Sequence, residues 1–180
     1  MFAMDPVLSW TFSADAAAIF ALSATLKLRD LDLFEAAVRD YWILPSWAVK
    51  PFSRCAPVME LAAAAGIAFP WSRGWAGAVL VGLLCVFSAA IAINLLRGRR
   101  ELECGCCGAA MRQHLSGLLL WRNGGLALLV GLAMGPVNAR PVGALDLFII
   151  MAGGASLMLL YASANYLIAA TPAPVNTQNG

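Results

Sequence analysis

Residues 74–96 read GWAGAVLVGLLCVFSAAIAINLL, 23 consecutive positions without an Asp, Glu, Lys or Arg. The hydrocarbon core of a bilayer is about 30 Å thick, and a helix needs about 20 apolar residues to cross it. Residues 147–170 repeat the pattern over 24 positions. Hydrocarbon offers no partner to backbone amides and carbonyls, so a spanning segment must pair them internally, as a helix does. Two such lengths in a chain of 180 residues argue against buried helices of a soluble domain. Composition agrees. The chain is 61% hydrophobic and 12% charged, where soluble domains average roughly 45–50% and about 25%. The length fits one domain, and the lipid bilayer is the expected surrounding, with no sign of a nucleic-acid partner.

Three further spans carry polar residues. Residues 9–26 hold Asp15, residues 55–72 hold Pro57 and Glu60, and residues 115–134 hold Arg122 and Asn123. The expected fold is an all-α integral membrane protein: a bundle of four to five transmembrane helices plus one interfacial amphipathic helix, within a single domain over residues 1–171. The amphipathic helix comes from RDLDLFEAAVRDYWILPSW, residues 29–47, which sets Leu31, Phe34, Val38, Tyr41 and Trp42 at helical spacing. Asp32 followed by Glu35 fits a capping box, and Pro45 stops the helix. Trp42 and Trp47 suit headgroup depth. No basic residue precedes Lys27, which argues against a secretory signal. The polar end, residues 172–180, reads as a disordered tail.

With five spans, the loops after the first and third share a side. They carry Lys27, Arg29, Arg39, Lys50, Arg54, Arg97, Arg99, Arg100 and Arg112; the other side carries Arg73 and Arg140. The positive-inside rule places the first group in the cytoplasm and the N-terminus outside.

The third loop also holds the chemistry. ELECGCCGAAMRQH, residues 101–114, contains Cys104, Cys106 and Cys107 beside two glycines. A disulfide needs Cα atoms about 4.4–6.8 Å apart, which residues two apart meet only in a bent backbone. Gly105 permits the bend. A Cys104–Cys106 ring would be strained, hence more oxidising and suited to exchange; a vicinal Cys106–Cys107 bond ranks below it. Arg112 and the start of the following helix favour thiolate over thiol. Two other readings stand beside thiol redox. Cys104, Cys106, Cys107 and His114 form a Cys3His set suited to zinc or copper(I), with a spacing unlike common zinc motifs. Alternatively, the loop is merely tight and small. Cys85, among Leu84, Val86 and Phe87, reads as a small buried hydrophobe. Cys55 is a structural interfacial thiol or a resolving one.

Glu60 and Arg122 each cost a few kcal/mol in hydrocarbon. The expected solution is a cluster of Glu60, Arg122 and Asn123 joining the second and fourth spans. It serves either as interhelical glue or as a proton or quinone-polar site beside the thiols.

Four stretches in order resemble the MauE family, within the wider DoxX-like group of small membrane proteins. They are LSATLKLRDLDLFEAAVRDYWILP, residues 22–45; APVMELAAAAGI, residues 56–67; INLLRGRRELECGCCG, residues 93–108; and LLLWRNGGLALL, residues 118–129. The likeness covers about residues 20–132. Where the family has an aromatic residue after its Cys-Gly-Cys, this chain has Cys107, so only Cys104 and Cys106 carry over as the family's pair.

The resemblance implies a thiol–disulfide helper of the bacterial inner membrane rather than an amine-oxidising enzyme. Family members help mature the exported, disulfide-rich small subunit of methylamine dehydrogenase and work with MauD, a thioredoxin-like partner. A non-catalytic scaffold for the same subunit is the contrasting expectation. An exported client places the thiols outside, whereas the basic residues place them inside. Carriage of reducing equivalents outward from a cytoplasmic donor reconciles the two. A quinone-linked oxidase would need access from the periplasm, and no tightly bound cofactor is otherwise expected.

Overall fold

The computed structural model describes residues 4–99, 101–102, 113–138 and 140–170. Six helices account for most of them: α1 (Pro6–Arg29), α2 (Leu31–Asp40), α3 (Ser46–Ile67), α4 (Arg73–Leu96), α5 (Gly117–Ala133) and α6 (Ala144–Ala170).

The start of α1 is set locally. The Asp5 side chain accepts the Val7 amide at 2.9 Å, and Pro6 occupies the first turn, where its missing N–H leaves nothing unpaired. α1 packs against α2, α3, α5 and α6, while α4 packs against α3 and α5. The main core joins Ala16 and Phe20 of α1 to Ala63 and Ile67 of α3, Leu80 of α4 and Val130 of α5. Small residues let the helices approach closely. A Cβ added at Gly77 would lie 2.5 Å from Met134 Sδ. A second core of Tyr41, Ile91, Leu115, Leu119 and Ile168 sits at the other end of the bundle.

The outside of the bundle is apolar. Leu145, Phe148, Met151 and Leu159 of α6 are all exposed, as are Trp71, Trp75 and Trp121. In water this surface would be a liability; in lipid it is the expected exterior. α1, α4 and α6 are long and apolar enough to cross a membrane, and α5 is a shorter apolar helix. The architecture is that of an all-α membrane protein, as the charge-free runs predict.

Several local expectations are corrected. The span expected over residues 55–72 is α3, which begins nine residues earlier and ends at Ile67. It accommodates both Pro51 and Pro57, as membrane helices can when neighbours and small adjustments re-satisfy the backbone. The capping box at Asp32 does not form: the N-cap is Asp30, without a side-chain capping bond. α2 ends at Asp40, before Pro45, and Pro45 is instead the N-cap of α3. Trp42 turns the chain between them with φ of 52°. Cys85 is exposed on the outside of α4, so it faces the surroundings rather than the core. The tail over residues 172–180 lies outside the described residues.

Two ends of the bundle are distinguished by what ties them. At the first, Met4 N–H donates to Pro136 C=O at 2.8 Å, and Asn138 N–H donates to Met4 C=O at 2.9 Å. Arg140 bridges Asp5 and Asp146 at 3.0 and 2.9 Å. Hydrogen bonding to this guanidinium holds the Asp5 carboxyl below its usual range. At the second end, α4 closes with Gly98 in the left-handed region at φ 76°. The Arg99 amide donates to Asn94 C=O and the Gly98 amide to Leu95 C=O, both at 3.0 Å. This is a Schellman closure, and glycine suits it because no Cβ is present.

Candidate functional site

The interior between α1, α3, α4 and α5 is not uniformly apolar. Lys27, in the last turn of α1, donates to Glu60 Oε2 of α3 at 2.6 Å, with side chains only 2% and 4% exposed. The ammonium also lies over two aromatic faces, 4.6 Å from the Phe87 centroid and 5.7 Å from that of Phe34. These rings meet edge to face, and Phe52 meets Phe87 likewise. A carboxylate on one side and ring quadrupoles on others replace the water the ammonium loses. The arrangement holds a fixed charge pair closed off from bulk solvent.

A second polar group centres on Arg122 of α5. Its guanidinium donates to Gln113 Oε1 at 3.0 Å, Asn165 Oδ1 at 3.1 Å and Asn123 Oδ1 at 3.2 Å. Asn123 donates onward to Ser88 Oγ of α4 at 3.1 Å. Gln113 Nε2 reaches the Asn165 carbonyl at 3.2 Å. One guanidinium thus gathers α4, α5, α6 and the residue that leads into α5. Its planar fork suits several amide oxygens at once, which a lysine's point charge would not. Lys27, Glu60, Arg122 and Asn123 together line one small cavity of about 30 Å³, roughly the room one or two water molecules need.

The cysteine loop is framed by described residues. Leu115 N–H donates to Leu102 C=O at 3.0 Å, so the two flanks of residues 103–112 are tied directly. Gln113 adds the tie to Arg122. The His114 ring nitrogen Nδ1 lies 3.3 Å from the Glu101 carbonyl. Cys104, Cys106, Cys107 and Arg112 lie outside the described residues. The Cys3His alternative therefore keeps only His114 within them. Cys55 is an exposed free thiol on α3.

A family model described as "Methylamine utilisation protein MauE" matches residues 5–136. The chain belongs to the MauE family. Three relatives under the same description match along nearly the whole length. The MauE of Paracoccus versutus is 39% identical over 167 residues, covering 91% of this chain and 88% of its own. Those of Paracoccus denitrificans and Methylorubrum extorquens are 35% and 37% identical, covering 92% and 87% of this chain and 90% and 86% of theirs. No solved structure matches this chain. The MauE match spans every helix up to α5, including Lys27, Glu60, Arg122 and the cysteine loop.

Sequence reasoning singled out Glu60, Arg122 and Asn123 but assigned Lys27 to a loop. The usable signal was Glu60 itself: a carboxylate in a span demands a cation, and Lys27 ends the span before it. Gln113, Asn165 and Ser88 gave less signal, because amides and hydroxyls are unremarkable until a guanidinium is seen among them. Asp15 and Arg73 are both buried. Arg73 donates to Ser9 Oγ and stacks 5.3 Å from the Trp10 centroid. Asp15 Oδ2 has no hydrogen-bond partner among the described residues and lies beside Gly154 of α6.

Proposed function

We propose that this protein is a thiol–disulfide helper of the bacterial inner membrane, acting in methylamine utilisation. Its client is the exported, disulfide-rich small subunit of methylamine dehydrogenase, and its partner is the thioredoxin-like MauD. Family membership supports the pathway. The observation that carries the chemistry is the clamp on the cysteine loop: the Leu115–Leu102 backbone bond at 3.0 Å and the Gln113–Arg122 bond at 3.0 Å. Together they tie Leu102 and residues 113–115, which flank the segment with Cys104 and Cys106, to one another and to α5, which supports reproducible presentation of a reactive group.

In the reaction, the thiolate of one cysteine attacks a sulfur of the partner's disulfide. That S–S bond breaks, a mixed disulfide forms, and the partner's other sulfur leaves as thiolate. The second cysteine then attacks the first, leaving a Cys104–Cys106 disulfide and a partner dithiol. Two electrons pass to the partner, and a cytoplasmic dithiol donor restores the pair. Arg112 stabilises the attacking thiolate, and Cys107 is a spare thiol beside the pair. Arg122 and Asn123 hold α4, α5 and α6 together beside the loop, and Lys27 and Glu60 hold α1 against α3.

The test is the Cys104→Ser/Cys106→Ser double variant in cells growing on methylamine. Unchanged abundance of the variant, with the small subunit left immature, is the expected result. Full maturation would overturn exchange and leave a scaffold. A Cys106→Ser single variant should accumulate a mixed disulfide with MauD, detectable after acid trapping. Membrane-impermeant thiol labelling of a variant retaining only Cys104 reports which face the loop occupies.

A further inference from the structure

At the second end of the bundle α2 stands off from α4, and the gap between them is a cavity of about 260 Å³. Phe34, Tyr41, Phe52, Phe87, Ala90 and Ile93 are among its walls, and Tyr41 is the one residue of its lining with a polar side-chain atom. The volume exceeds the about 150 Å³ of an apolar cavity that stays dry and takes a benzene ring. Water has nothing to bond to there, and neither do the carbonyl oxygens of a quinone ring beyond a single phenol. The lining suits a hydrocarbon chain.

Two arginines stand beside this cavity. Trp42, between the lining residues Tyr41 and Ile43, has its carbonyl facing Arg97 Nη1 at 3.4 Å and its ring facing the Arg99 guanidinium at 5.6 Å. The Schellman closure at Gly98 fixes both arginines at the end of α4. Neither forms an ion pair among the described residues. Arg39, on α2, is already engaged by Glu35 at 2.8 Å. Asp40 and the exposed Glu101 are the described acidic residues nearest in the chain to Trp42 and Arg99, and neither is ion-paired to Arg97 or Arg99. An apolar slot flanked by a tryptophan and two arginines that form no ion pair among the described residues matches an amphiphile with an anionic head.

We propose that the cavity between α2 and α4 holds an acyl chain of an anionic phospholipid whose phosphate is bound by Arg97 and Arg99. The aromatic wall formed by Phe34 and Phe87 is also the wall of the Lys27 site, so the lipid closes the dry side of the buried ion pair. This assignment is independent of the thiol chemistry.

The experiment uses the full chain in nanodiscs containing phosphatidylglycerol and phosphatidylethanolamine in equal amounts. Native mass spectrometry of the released protein should show phosphatidylglycerol retained over phosphatidylethanolamine. In Arg97→Gln/Arg99→Gln the preference should fall about 25-fold, about five-fold per arginine as expected for basic groups at an anionic surface. Ala89→Trp, which fills the slot from α4, should lose retention of both lipids while keeping wild-type helicity. On unaltered protein, a phosphatidylglycerol with a diazirine in its acyl chain should label peptides covering residues 41–44 or 86–93. Equal retention of the two lipids, labelling confined to other segments, or displacement of the label by ubiquinone at equal mole fraction would each overturn the proposal.

Discussion

Removing either partner of the Lys27–Glu60 pair should destabilise the protein by about 4 kcal/mol at pH 7.4. The side chains are 2% and 4% exposed, so solvent screening does not reduce the effect. In Lys27→Met the Glu60 carboxylate loses the ammonium that balances it, and in Glu60→Gln the ammonium loses its carboxylate. Breaking a buried pair from one side costs about 3–5 kcal/mol, because the charge left behind is uncompensated. The double variant Lys27→Met/Glu60→Met removes both charges and should return to within about 1 kcal/mol of the parent, since apolar replacement of a buried pair is often neutral. Unfolding free energies from helical circular dichroism in dodecylmaltoside micelles titrated with SDS at pH 7.4 provide the assay. Single-variant losses below about 1 kcal/mol, or a double variant no more stable than the single ones, would refute the reasoning.

Other perturbations separate the remaining features. Arg122→Lys keeps the charge but not the fork that gathers Gln113, Asn165 and Asn123; a loss of about 2 kcal/mol is expected, with faster hydrogen exchange at the Leu115 amide. Gly77→Leu drives a side chain into Met134 and should cost about 2–3 kcal/mol, whereas Gly74→Leu, with nothing within 4 Å, should stay within about 0.5 kcal/mol in the same titration. Asp5 is held below the ordinary carboxylate range by Arg140. Its contribution is therefore complete above about pH 4 and is lost as the pH falls through its lowered midpoint. Exchange at the Asn138 amide, corrected for intrinsic rate, should be flat from pH 7 to 5 and accelerate below 4.

The helices legible in the sequence were those whose reading depended on one property. α4 and α6 follow their charge-free runs to within a turn. α2 follows its spacing of Phe34, Val38 and Tyr41. α3 did not yield, because Lys50, Pro51 and Arg54 read as the polar approach to a span. In the fold they are the first turns of the helix itself, with Val49 and Ser53 buried and Lys50 and Arg54 turned outward. Lys27 failed for a related reason: a lysine at the end of an apolar run reads as an anchor, and only the position of α3 shows it facing inward. Pairings among Arg122, Gln113 and Asn165 span up to 52 positions and had no local trace. The cysteines were conspicuous because three of them share four residues, a concentration packing alone does not call for.

The ion pair also constrains how the chain is made. Lys27 leaves the ribosome 33 residues ahead of Glu60, an interval of about 2 to 7 seconds at ordinary translation rates. Throughout it, the first hydrophobic segment lacks the carboxylate that balances its lysine in the folded bundle. The charge pair thus favours α1 and α3 settling in the bilayer together over α1 settling there alone.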